Sequence, residues 1–69
     1  MQNLFNIYIM DLYIAIMTEW GDCYFTFENN DYDTLVWNDA NPKPKPTLEE
    51  LQEAWLAHVT RVNKSFLAN

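Results

Sequence analysis

Pro42, Pro44 and Pro46 alternate with Asn41, Lys43 and Lys45, and no other feature of the chain restricts its backbone so tightly. Each proline removes an amide donor and disfavours helix at the residue before it, so residues 39–46 cannot lie inside a helix or a central strand. They predict a stiff, polyproline-like connector between two structural halves. Immediately beyond it, Thr47 and Glu50 have the S/T-x-x-E spacing of a capping box, which fixes where the next helix starts. At about 100° per residue, Leu48, Leu51, Trp55, Val59, Val62 and Phe66 then fall on one arc, with His58 at its margin. Glu49, Glu50, Glu53, Arg61 and Lys64 occupy the opposite arc, acids first and bases last, as the helix dipole prefers. The pattern predicts an amphipathic helix over 47–67 whose apolar stripe covers the other half of the protein.

That other half reads as a hairpin preceded by an apolar segment. Cys23, Phe25 and Phe27 alternate with Tyr24, Thr26 and Glu28, which is strand periodicity in strand-favouring residues. Asn29, Asn30 and Asp31 are residue types that tolerate positive φ, and Tyr32 to Trp37 resume an aromatic, β-branched run. Residues 22–38 therefore predict an antiparallel hairpin, with Leu35 and Trp37 on one face of the second strand and Thr34, Val36 and Asn38 on the other. Residues 1–20 fit two periods. Phe5, Ile9, Leu12, Ile16 and Trp20 have helical spacing, whereas Tyr8, Met10, Leu12 and Ile14 alternate as a strand would. We read a helix from about Asn3 to Glu19, with Asn3 or Asn6 as N-cap and Gly21 stopping it in a left-handed conformation. The alternative makes residues 6–17 a third strand. The expected fold class is α+β in the order helix, strand, strand, helix, with both helices on one face of a two-stranded sheet. A chain of 69 residues is a single small domain, since folding at this size buries only about 60% of the surface of the unfolded chain. A lone hairpin is marginal, so helix packing or a homodimer is needed to complete it.

Charge divides the chain as sharply as the prolines do. Residues 1–40 hold seven acids and no base, while residues 41–69 hold three acids and four bases, within a net charge of −6. Nucleic-acid affinity needs Lys and Arg on phosphates, so direct DNA or RNA binding by the first half is disfavoured and a basic protein partner suits it. Cys23 is the only cysteine, which rules out an internal disulfide and cysteine-rich zinc sites. The stretch from Leu4 to Met17 is too short for a membrane span and carries Asp11 at its centre. Asn29, Asp31 and Asp33 have the spacing that opens a calcium loop, but Thr34 stands at the sixth position and Ala40 at the twelfth, where glycine and glutamate are required. Turn chemistry is the expected role. Cys23 and His58 could formally pair as nucleophile and base, yet no third group orients them, and a thiol among Phe25 and Phe27 reads as packing. No phosphate loop and no other catalytic constellation stands out. The expectation is a protein that is not an enzyme and takes no cofactor or metal.

One resemblance adds to this reading. The run Asp31-Tyr32-Asp33-Thr34-Leu35-Val36-Trp37, then Asp39, Lys43-Pro44, Pro46-Thr47, Glu49-Glu50-Leu51 and Ala54-Trp55, resembles small bacteriophage and prophage tail assembly chaperones, XkdW-like proteins among them. It covers about 45 residues, from near Trp20 to Val62. The segment Leu4 to Ile9 and the extra Lys-Pro before Pro46 depart from that pattern. The resemblance implies a phage-encoded, non-catalytic protein of virion or tail morphogenesis, in the host cytoplasm or associated with the virion, that shields a tail component. Its expected protein-binding residues are Trp37, Leu51, Trp55, Val59, Val62 and Phe66. The competing expectation is an acidic inhibitor or nucleic-acid mimic that occupies a basic host protein through Asp22, Glu28, Asp31, Asp33 and Asp39.

Overall fold

The structure, a computed structural model, describes the backbone of residues 9–67 and the side chains of residues 9–64. Its elements are helix α1 (Leu12–Glu19), strand β1 (Phe25–Thr26), a 3-10 turn (Tyr32–Thr34), strand β2 (Val36–Trp37) and helix α2 (Leu48–Leu67). The order is the expected helix, strand, strand, helix, and β1 and β2 pair antiparallel with Phe25 opposite Trp37 and Thr26 opposite Val36. Helix α1 excludes the third-strand alternative from Leu12 to Met17.

Helix α1 starts later than its periodicity suggests. Asp11 is the N-cap, in extended conformation, and its carboxylate accepts from the Ile14 amide. Asn30 reaches across from the hairpin turn: its Oδ1 accepts the Leu12 amide at 2.7 Å and its Nδ2 donates to the Met10 carbonyl at 2.8 Å. These bonds satisfy amides that a helix continuing upstream would have bonded itself, so residues 9–11 leave the helix. The expected caps Asn3 and Asn6 lie outside the described residues. At the other end, Gly21 does not adopt positive φ. The cap is Trp20 at φ −124°, ψ 31°, with its amide on the Ile16 carbonyl. Gly21 serves close approach instead, because a Cβ there would stand 3.3 Å from the Met17 carbonyl oxygen.

The strands are shorter than the aromatic runs predict, and the loop between them is the reason. Asn29 and Asn30 both take the left-handed conformation, at φ 54° and 58°. The Asp31 carboxylate then accepts the Asp33 amide at 2.9 Å, which winds Tyr32–Thr34 into a 3-10 turn rather than a strand. Thr34 Oγ1 accepts the Glu28 amide at 2.8 Å and lies 2.7 Å from the Asp31 carbonyl, closing the turn on itself. Local side-chain bonds of this kind compete directly with a strand ladder.

Leu12, Ala15 and Ile16 of α1, Leu35 before β2 and Leu51 of α2 form the buried cluster, with Phe25, Phe27, Trp37 and Trp55 packed on its rim. The helices thus cover the predicted apolar face of the hairpin, while Tyr24 and Val36 point outward at 75% and 64% exposure. Helix α2 begins as its capping box requires. Thr47 Oγ1 accepts the Glu50 amide at 3.0 Å, and Glu50 Oε1 accepts the Thr47 amide at 2.8 Å.

The proline connector is a strap rather than a spacer. Trp37 Nε1 donates to the Lys43 carbonyl at 2.9 Å and the Tyr32 hydroxyl to the Pro46 carbonyl at 2.7 Å. Asn41 exchanges two bonds with the backbone of Tyr24, at 2.7 and 2.8 Å. Lys43 Nζ donates to the Glu19 carbonyl at 2.6 Å, placing a cation at the C-terminus of α1, which has no basic residue in its own last turn. Lys45 Nζ donates to the Leu35 carbonyl at 2.9 Å and sits 5.2 Å from the centre of the Tyr32 ring. Pro46 itself is fully buried.

Candidate protein-binding site

The residues expected to contact a partner divide into two groups. Leu51 is fully buried and Val59 nearly so, and both belong to the interior. Trp37 is half-buried, stacked on Phe25 at 5.9 Å, and its indole N–H is engaged by the strap. Trp55 is half-buried against His58, and its Nε1 is buried with no hydrogen-bond partner among the described residues. Val62 lies on the same arc of α2 as these residues yet is 51% exposed. Phe66 falls beyond the described side chains. Leu48, expected on the covered stripe, is also exposed, at the first turn of the helix.

Length explains the division. Helix α2 has 20 residues and α1 has eight, about 30 Å against about 12 Å at 1.5 Å per residue. The shorter helix and two-residue strands cover the middle of the stripe at Leu51, Ala54 and Val59, and leave Val62 uncovered. Leu56, 49% exposed on the flank of the stripe, was not among the expected binding residues, because its angular position falls between the apolar and charged arcs.

A second apolar surface escapes helical reasoning altogether. Tyr13 and Met17 of α1, at 54% and 41% exposure, face residues 23–27 across a shallow groove of about 500 Å³. The strand alternation placed Tyr24 outward correctly, but only the fold sets Tyr13 and Met17 beside it.

The chemistry considered for the other candidates resolves into structural contacts. The Cys23 thiol is buried and donates weakly to Asp22 Oδ1 at 3.7 Å, and His58 lies against Trp55; no hydrogen bond joins Cys23 and His58. Asp31 caps the 3-10 turn, as the turn reading expects. Among the described residues no group of three His, Cys, Asp or Glu side chains is arranged to hold a metal, and no helix is long and apolar enough to cross a membrane. No family model, curated protein or solved structure matches the chain.

Proposed function

We propose that this chain is a non-catalytic protein-binding module of phage tail or virion morphogenesis, acting as an assembly chaperone or accessory. The observation that carries it is the mismatch along α2: an apolar arc continues past the core it covers, so that Val62 stands half-exposed in line with buried Val59 and Leu51. The arrangement of the 31–55 block, strand then strap then capped helix, is also the one through which the chain resembles tail assembly chaperones, and an exposed helical stripe is a surface onto which a client helix can pack.

The test is co-purification of the tagged protein from infected cells. A tail or tape-measure component recovered with wild type, and lost with Val62→Lys, supports the proposal; recovery of host enzymes alone overturns it. Because Val62 is exposed, Val62→Lys should change folding stability by no more than about 0.5 kcal/mol, so loss of the client would not be a folding effect.

A second reading is favoured by the strap. Lys43 and Lys45 donate to the backbone carbonyls of Glu19 and Leu35 rather than to carboxylates, so the exposed carboxylates of Asp22, Glu28, Asp31, Asp33 and Asp39 accept no hydrogen bond from either ammonium. That suits an acidic inhibitor of a basic host protein. Its binding would weaken steeply with salt, whereas attachment through the apolar stripe would not.

A further inference from the structure

Two charges of α2 serve no contact within the fold. Glu53 and Arg61 are exposed, and they lie beyond the first and before the last turn of Leu48–Leu67, where the pull of the helix dipole has fallen away. Their neighbours three and four residues off offer nothing of opposite sign: Glu49, Glu50, Leu56 and Ala57 for Glu53, and Ala57, His58, Lys64 and Ser65 for Arg61. Glu49 and Glu50 with Glu53, and Lys64 with Arg61, are instead like-charge pairs at spacings that destabilise a helix. Among the described residues the side-chain hydrogen bonds of this segment are those of Thr47, Glu50 and Thr60, so no base answers these acids and no acid these bases.

The two clusters are symmetric about one residue. Glu53 and Arg61 stand four residues either side of Ala57, and Glu50 and Lys64 seven either side. At about 100° per residue these five lie within about 80° of one another, and all are exposed. A second copy running antiparallel about Ala57 therefore sets Glu53 opposite Arg61 and Glu50 opposite Lys64, twice each. A parallel copy sets acids on acids, and a wholly basic or wholly acidic partner matches one half of the face and opposes the other. Charge thus selects both the occupant and its direction. Ala57 carries only a methyl group at the crossing point, so the two axes can approach to about 8 Å, within reach of these side chains. Beside it, Leu56 is 49% exposed and forms a shallow groove of about 310 Å³ with Glu49, Gln52 and Glu53. The aliphatic stem of the second copy's Arg61 can lie there while its guanidinium meets Glu53.

We infer that the chain forms a symmetric dimer by antiparallel contact of α2 with α2, its two-fold axis at Ala57 and its specificity carried by Glu53 on Arg61 and Glu50 on Lys64 between copies. Exposed ion pairs are individually weak and screened by salt, and the face is narrow, so the dimer belongs to the transient class and forms at high local concentration. It uses the charged arc of α2, opposite the arc of Leu51, Val59 and Val62. The apolar stripe stays free, and the inference does not rest on the client reading.

The test is ¹⁵N NMR of the 69-residue chain between about 50 µM and 1 mM, where weak association becomes populated, in about 50 mM salt. With rising concentration the amides of residues 50–64 should shift and the rotational correlation time should climb toward that of a doubled mass, and both changes should be lost at about 500 mM salt. Glu53→Arg and Arg61→Glu each replace two attractions across the axis by two repulsions and should weaken the dimer at least about tenfold, with circular dichroism unchanged. An equimolar mixture of the two variants regains both pairs in a mixed dimer and should associate as wild type does, a recovery that misfolded variants could not give. Val62→Lys should leave the dimer intact. A chain still monomeric at about 1 mM, either variant associating as wild type does, a mixture that stays monomeric, or loss of the dimer in Val62→Lys would each overturn the inference. None of these outcomes bears on whether a tail component co-purifies, so the two proposals fail separately.

Discussion

Asn30 does more for the fold than any apolar residue of its size could. It holds a left-handed backbone at the hairpin turn and at the same time bonds Met10 and Leu12 at the start of α1, so one side chain joins a loop to a helix some twenty residues away. Asn30→Gly keeps the backbone freedom and removes both bonds, and should cost about 1–2 kcal/mol; Asn30→Ala also forces a Cβ into positive φ and should cost about 1 kcal/mol more. Urea unfolding of the two variants checks the order, and equal losses would show that the left-handed backbone contributes nothing. Trp55 offers the reverse case. Its indole N–H is buried without a partner among the described residues, which costs free energy that its ring contacts must offset. Trp55→Phe should therefore stay within about 1 kcal/mol of wild type, whereas Trp55→Ala should lose about 2–4 kcal/mol. A Trp55→Phe loss as large as that of the alanine variant would mean that the N–H is bonded in solution.

At the scale of elements, the start of α2 is the most sharply specified point of the chain. Thr47 and Glu50 satisfy each other's amides, so Thr47→Ala and Glu50→Ala should each cost about 1 kcal/mol, and the double variant should cost measurably less than their sum, because either single change already opens the box. Strict additivity in thermal or urea unfolding would argue against the reciprocal pair. This element was legible in the sequence because its signals are local: a cap, an apolar period and a proline boundary lie within a few residues of the structure they cause. The hairpin was legible in its faces but not its length. Alternation separated Cys23, Phe25 and Phe27 from Tyr24, Thr26 and Glu28, yet the Asp31 and Thr34 bonds that shorten the second strand depend on where the turn brings them. The start of α1 was hidden for a related reason, since its boundary is set by Asn30, distant in sequence. The apolar stripe of α2 was legible as a face but not in its use: how much of that face the core covers depends on the lengths of α1 and the strands.

At the scale of the molecule, a hairpin with two-residue strands is held in place by a strap rather than by a wider sheet. The strap draws on Trp37, Tyr32 and Asn41 and on both of its lysines, and so ties the hairpin to the end of α1 and the start of α2. Replacing the strap with a glycine-serine linker of equal length should unfold the protein cooperatively at lower denaturant, not merely loosen α2. Separate unfolding of the two halves, followed by tryptophan fluorescence and circular dichroism, would contradict that.

The engagement of Lys43 and Lys45 with backbone carbonyls has a consequence for the solvent. The acidic half receives only these two ammonium groups against its seven acids, so much of its mutual repulsion is left to dissolved cations. Such a protein should behave in a mildly halophilic way: sodium chloride raised from about 20 mM to 1 M should increase its melting temperature, because screening relieves repulsion in the folded state more than it weakens two ammonium-to-carbonyl contacts. A melting temperature that fell with salt would place the lysines on carboxylates. A rise of that kind would make the ionic strength around this molecule a working part of its fold.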